Sequence, residues 1–147
     1  MKNVDIYTDG ACSGNPGKGG YCAILIFNGI EKIVKGGEEE TTNNRMELVA
    51  VIEGLKALKE SCKVNLYSDS QYVVDAVNQK WLDDWVQHDF RSDTKHGVKN
   101  VDLWKALIPL LKKHKVTFIK VKGHSDNEYN NRCDKIAISM YKEKNDK

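Results

Sequence analysis

The chain opens on an alternation of period two. Val4, Ile6 and Thr8 interleave with Asp5, Tyr7 and Asp9, which is the pattern of a strand with two unlike faces. Gly10 and the run Ser13-Gly14-Asn15-Pro16-Gly17-Lys18-Gly19-Gly20 end that strand in a turn-rich loop. Residues 21–27 form a second, mostly apolar strand. Asn28-Gly29 is a strong two-residue hairpin signal, and Ile30 begins a third strand. Residues 4–41 therefore predict an antiparallel meander.

The period then changes. Thr41-Thr42-Asn43-Asn44 offers capping side chains, and Leu48, Val51, Ile52, Leu55 and Leu58 recur at helical spacing to about Lys59. Residues 64–67 read as a short strand. Ser68-Asp69-Ser70 then caps a helix to about Val77, completing a βαβ-type step within a mixed sheet. Trp81, Leu82, Trp85 and Val86 suit a short helix, and residues 91–97 a polar loop. Val101, Leu103, Trp104, Leu107, Ile108 and Leu111 predict an amphipathic helix that Pro109 should kink or shorten. Residues 116–121 give a fifth strand and 123–127 a loop. Cys133, Ile136, Ala137 and Met140 mark a last helix, and the charged tail 142–147 should fray.

Composition narrows the class. At 147 residues, 40% apolar and 30% charged with two prolines, the chain fits one globular domain, 1–147, with a real core. Disordered, collagenous and disulfide-framework readings fall away. No run approaches the ~18 apolar residues of a membrane span and no apolar leader opens the chain, so a cytoplasmic protein is expected. Cys12, Cys22, Cys62 and Cys133 lie far apart with no CxxC pair, which points to reduced thiols in or near the core. With no unusual apolar surface stretch evident, a monomer without an obligate protein partner is the default.

Charge is distributed unevenly. Residues 1–94 carry 10 basic and 15 acidic groups, and residues 95–147 carry 13 basic and 6 acidic groups. Between 105 and 122 there are six lysines and no acid. An acidic half beside a basic half is compatible with a metal site next to a polyanion-binding face, and equally with a solvated lysine face.

Four carboxylates stand out by position: Asp9 at the end of the first strand, Glu47 in the first turn of the first helix, Asp69 just past the short strand, and Asp134 in the last helix. Singly, each has a structural explanation. Asp9 could cap the glycine turn, Glu47 could complete a capping box with Asn44, Asp69 could be an N-cap, and Asp134 could be a solvated helix position. Together they suit one task. Converging carboxylates repel one another, a divalent cation removes that cost, and an all-oxygen set favours Mg²⁺ or Mn²⁺ over zinc. Two such ions about 4 Å apart are a known device for in-line phosphodiester cleavage.

Asp9-Gly10, Thr42-Asn43-Asn44-Arg45-Met46-Glu47-Leu48, Ser68-Asp69-Ser70-Gln71-Tyr72-Val73, Val121-Lys122-Gly123-His124 and Asn130-Asn131-Arg132-Cys133-Asp134 occur in the order and spacing of one family. From about residue 3 to 141 the chain resembles bacterial type 1 ribonuclease H, and five ordered motifs are far more specific than one. The resemblance implies an α/β fold: a five-stranded mixed sheet, strands one to three antiparallel, with helices on both faces. It implies an endonuclease that cuts the RNA strand of RNA–DNA hybrids, giving 5′-phosphate and 3′-hydroxyl ends. Asp9, Glu47, Asp69 and Asp134 would hold two Mg²⁺ ions in the substrate complex, Mn²⁺ being possible, with Asp9 bridging. His124 would carry a proton or assist product release. Cys12, Asn15 and Asn44 match contacts to the minor groove and 2′-hydroxyls, and Asn43 and Gln71 the groove-reading amides. Thr42 and Asn100 match a pocket for a DNA-strand phosphate. Trp81 and Trp85 match an aromatic channel for the deoxyribose strand; the other reading of both is core packing.

Two departures from the family bear on affinity. Where related bacterial proteins often carry a basic protrusion, residues 80–99 are neutral, with four basic and four acidic groups. An arginine often found two residues before Thr42 is here Glu40. Other carboxylate nucleases, such as 3′–5′ exonucleases and integrase-type strand transferases, and a non-catalytic binding module are the competing classes. The Thr42–Glu47 run, the Gly123-His124 pair and the intact carboxylate set argue against them.

Overall fold

The computed structural model describes residues 1–90, 99–122 and 127–142. Ten elements follow in order: β1 (Lys2–Cys12), β2 (Gly17–Phe27), β3 (Ile30–Thr41), α1 (Asn43–Lys56), β4 (Cys62–Ser68), α2 (Gln71–Asn78), α3 (Trp81–Gln87), α4 (Val101–Lys113), β5 (Lys115–Lys120) and α5 (Glu128–Lys142). The strands form one sheet in the order β3-β2-β1-β4-β5. β1, β2 and β3 pair antiparallel, while β4 runs parallel to both β1 and β5. The predicted meander and mixed sheet are therefore present. The Asn28-Gly29 turn has φ of 51° and 77°, the positive pair that a two-residue hairpin connection demands.

Period-two alternation sorts β1 onto two faces. Val4 and Ile6 enter the larger core with Leu48, Val51 and Leu55 of α1, Val73 of α2, Leu82 and Trp85 of α3, and Trp104 and Leu107 of α4. Tyr7 turns the other way, to the smaller cluster that Cys133 and Ala137 of α5 make with Cys22 and Ile24 of β2. Helices thus cover both faces, as the resemblance implies. Cys22, Cys62 and Cys133 are buried, Cys12 is half-buried, and all four are free thiols.

Three local expectations are corrected. α1 is capped by Thr42, whose hydroxyl accepts from the Arg45 N–H at 3.2 Å. Asn44 is therefore already helical, no Asn44–Glu47 capping box forms, and Glu47 opens the second turn. α1 also ends at Lys56, a few residues before Lys59. Pro109 does not shorten α4, which runs on to Lys113: its side of the helix is exposed and the Lys105 carbonyl it leaves unpaired can take water. The predicted loop at 91–97, all but the last residue of that at 123–127, and the tail beyond Lys142 lie outside the described residues.

Two features position the site. Because β1 and β4 are parallel neighbours, with Tyr7 opposite Tyr67, the chain leaves both strands at the same end of the sheet, near Asp9 and Asp69. α1 crosses β1 at Gly10, where a Cβ would overlap the backbone of Met46 and Glu47. Only glycine allows this approach, which brings Glu47 down to Asp9.

Candidate active site

Asp9 is 3% exposed and Glu47 5%, an expensive placement for two carboxylates unless they are paired, protonated or bound to a cation. Asp9 Oδ1 accepts from the Gly10 N–H at 2.9 Å. Asp9 Oδ2 and Glu47 Oε1 are buried with no hydrogen-bond partner. Half-buried Asp69 joins them, and one carboxylate oxygen from each of the three lies within 4.8 Å of the others.

Electrostatics makes this arrangement unstable as three anions. Unit charges about 5 Å apart repel by about 3 kcal/mol per pair at an effective dielectric near 20. Burial and mutual charge both oppose ionisation here. Burial first, and then the charges of Asp69 and Asp134, push the Asp9 carboxyl up to about 8. Burial, with Asp9 and Asp69 adding to it, lifts Glu47 well above the ordinary glutamate range. A divalent cation would satisfy the orphaned oxygens and cancel the repulsion together. The donors are all oxygens, which suits a hard cation such as Mg²⁺ or Mn²⁺. The residues present therefore fit such an ion.

Asp134, on α5, lines the same cavity of about 430 Å³. It lies outside the tight triad, but its charge is felt at Asp9. Asn43, Asn44, Gln71 and Cys12 line this cavity too. Asn15 is exposed, and its Oδ1 accepts from the Asn43 N–H at 3.0 Å, pinning the glycine-rich loop to the start of α1. Thr42 and Asn100 are brought into one neighbourhood through Arg45. Arg45 follows the Thr42 cap and donates to Asn100 Oδ1 at 3.3 Å and, through both terminal nitrogens, to Asp102 at 3.0 and 2.7 Å.

The two tryptophans part company. Trp81 is half-buried at the start of α3. Trp85 is 1% exposed and meets Trp104 edge-on at 5.4 Å between ring centroids. The expectation that Trp85 touches a nucleic acid is therefore corrected: it is core. His124 lies outside the described residues.

Sequence reasoning passed over Tyr72, Ile138 and Tyr141, which also line the cavity. For the last two a signal exists: they stand four and seven residues after Asp134, on the same helical face. Arg45 and Asp102 carried no signal, because their pairing joins α1 to α4 across 57 positions.

A family model described as RNase H matches residues 1–142. The ribonuclease H of Caldicellulosiruptor saccharolyticus is 62% identical over 143 residues, 97% of this chain and 99% of that one. Among solved structures, LC9-RNase H1, described as a type 1 RNase H with the type 2 active-site motif, superposes with a TM-score of 0.79 at 28% identity, covering 95% of this chain and 72% of that one. LC11-RNase H1, solved in complex with an RNA/DNA hybrid, shares the fold with a TM-score of 0.72 at 19% identity, over 96% of this chain and 98% of that one.

Proposed function

The chain belongs to the ribonuclease H family, and from that membership and the geometry above we propose that it hydrolyses the RNA strand of RNA–DNA hybrids internally, leaving 5′-phosphate and 3′-hydroxyl ends. The observation that carries this reading is the close triad of buried Asp9 and Glu47 with half-buried Asp69, in which two buried carboxylate oxygens receive no hydrogen bond from a donor group. An idle scaffold gains nothing from three carboxylates that repel one another, whereas a metal-dependent nuclease needs them.

Asp9, Glu47, Asp69 and Asp134 would hold two divalent cations, Mg²⁺ or alternatively Mn²⁺. When bound, such ions lower the pKa of an attacking water and stabilise the leaving oxygen. The protein's own groups do the remainder. Asn43 and Gln71 sit beside the carboxylates with exposed amides, suited to reading a minor groove that carries 2′-hydroxyls. Cys12, Asn15 and Asn44 would flank that groove. Thr42 and Asn100 would hold a phosphate of the DNA strand, and Trp81 would lie along the deoxyribose strand. His124 would carry a proton or assist product release. The reading takes the protein as a cytoplasmic monomer needing no obligate protein partner. No helix among the described residues is long and apolar enough to cross a membrane.

The test is cleavage of an end-labelled hybrid with Mg²⁺ or chelator, beside duplex RNA and duplex DNA. Internal cuts in the RNA strand of the hybrid alone, abolished by chelator, are expected. Cleavage that persists in chelator, or products released one nucleotide at a time from an end, would overturn the reading.

A further inference from the structure

On the α1 face of β1, Val4 and Ile6 are followed by a hydroxyl. Strand alternation puts Thr8 on the same face as these two residues, and Thr8 is 1% exposed. A buried hydroxyl costs stability unless it is hydrogen-bonded, and valine would fill the same shape with no polar atom. Thr8 finds its partner on the neighbouring strand, where Oγ1 donates to the Tyr67 carbonyl of β4 at 3.3 Å.

The place of that bond gives it a consequence. The paired register of β1 and β4 runs from Lys2 and Cys62 to Tyr7 and Tyr67 and goes no further. Thr8 is the next residue of β1, Asp9 follows it, and Asp69 lies two positions beyond Tyr67. Each carboxylate segment is tied on its outer side. Asp9 is paired with Cys22 of β2, and the Ser68 carbonyl, one residue before Asp69, accepts from the Val121 N–H at 2.9 Å. Neither tie joins the two segments to each other. The Thr8 hydroxyl does so, one step past the last register pair.

We propose that Thr8 is a positioning residue for the carboxylates: its hydroxyl fixes the spacing of Asp9 and Asp69 where the β1–β4 register ends. This rests on the reading of those carboxylates as holders of a divalent cation. Thr8 does not line the carboxylate cavity, so it acts through Asp9 and Asp69 rather than on a ligand. With the bond gone, bringing the two carboxylates together must be driven by the cation itself. The loss falls on cation affinity, on the scale of one neutral hydrogen bond, about three- to tenfold.

The experiment titrates Mg²⁺ into the substrate-free protein and follows backbone amide NMR shifts to obtain Kd, with Tm measured in chelator as the record of packing. It compares the wild type with Thr8→Val, Thr8→Ser and Thr8→Ala. Threonine against valine and serine against alanine each isolate the hydroxyl, so a variant that fails to fold leaves the other pair to decide. Threonine against serine isolates the methyl. Thr8→Val should weaken Mg²⁺ binding about three- to tenfold relative to the wild type, and Thr8→Ala by the same factor relative to Thr8→Ser. Thr8→Ser should keep the wild-type Kd although its missing methyl lowers Tm in chelator. If Thr8→Val and Thr8→Ala keep the wild-type Kd, the inference fails alone. If Thr8→Ser and Thr8→Ala weaken binding equally, packing rather than the hydroxyl sets the site, and the inference fails as well. If the wild type shows no Mg²⁺-dependent shifts at Asp9 and Asp69, the cation reading fails and this inference with it.

Discussion

Replacing Asp9 by Asn should make the metal-free protein more stable while abolishing turnover. In the folded, metal-free state the Asp9 carboxyl is pushed up to about 8 from the ordinary 3.8, by burial first and then by its charged neighbours. Between those values the folded protein holds a proton that the unfolded chain has released, so stability falls as pH rises from about 4 to about 8. At pH 7 the cost is about three units at 1.36 kcal/mol each, about 4 kcal/mol. Asparagine does not titrate, can still accept from the Gly10 N–H, and places an amide donor near the unpartnered Glu47 Oε1. A gain of about 2–4 kcal/mol at pH 7, on the order of 10 °C in Tm, is expected. The assay is thermal and urea unfolding of both proteins in chelator across this pH range, repeated in millimolar Mg²⁺. The gap should close below about pH 4, where both chains carry a proton or an amide. Mg²⁺ should stabilise the wild type by mass action and leave the variant nearly unmoved. A stability gap independent of pH, or a variant less stable than the wild type in chelator, would falsify the argument. Hybrid cleavage by the variant above about a tenth of the wild-type rate would sink the assignment of Asp9 as a ligand, since loss of a residue that would hold the cations should cost far more.

Three further outcomes are expected. His124→Ala should slow cleavage by about 10- to 1000-fold without ending it, the range for a lost acid–base group; a folded but wholly inactive variant would make His124 a ligand instead. Glu40→Arg with Asp83→Lys, both at exposed positions, should lower KM and steepen the fall of log K with log salt, by about 0.9 per added phosphate contact. Saturating rates should hold, since uniform binding does not help the chemical step, and an unchanged KM at low and moderate salt would place the substrate away from this face. Gly10→Ala must drive a methyl into the α1 backbone, so a loss of roughly 1–3 kcal/mol or more together with a sharp fall in activity is expected, and an active variant of wild-type Tm would refute the claim that this approach sets the site.

The sequence discloses what depends on neighbours along the chain and conceals what depends on neighbours across it. Val4, Ile6 and Thr8 alternate because a strand has two faces, and Leu48, Val51, Ile52 and Leu55 recur because a helix has one buried stripe, so both elements were legible. Asn28-Gly29 named its turn because few residues accept its dihedrals. Thr42 rather than Asn44 caps α1 because capping depends on where β3 hands over to the helix, and four adjacent residues could each have served. Trp85 carries a chemistry equally at home on a nucleic acid or in a core, and only its contact with Trp104 decides. The carboxylates were found through five ordered motifs; composition and spacing alone left Glu47, Asp69 and Asp134 with ordinary structural readings. Tyr72 sits inside one of those motifs, but its hydroxyl meets Asn100 and Trp104 from positions 28 and 32 residues away, a distance no local pattern encodes.

The carboxylates come from β1, from α1, from the segment after β4 and from α5, so they span positions 9 to 134. A chain still being synthesised can assemble the meander and α1, yet it lacks Asp134 until α5 has left the ribosome and docked. If the proposed cations are held by all four carboxylates, their site is complete only once α5 has docked, and cation binding would follow assembly of the sheet rather than template it.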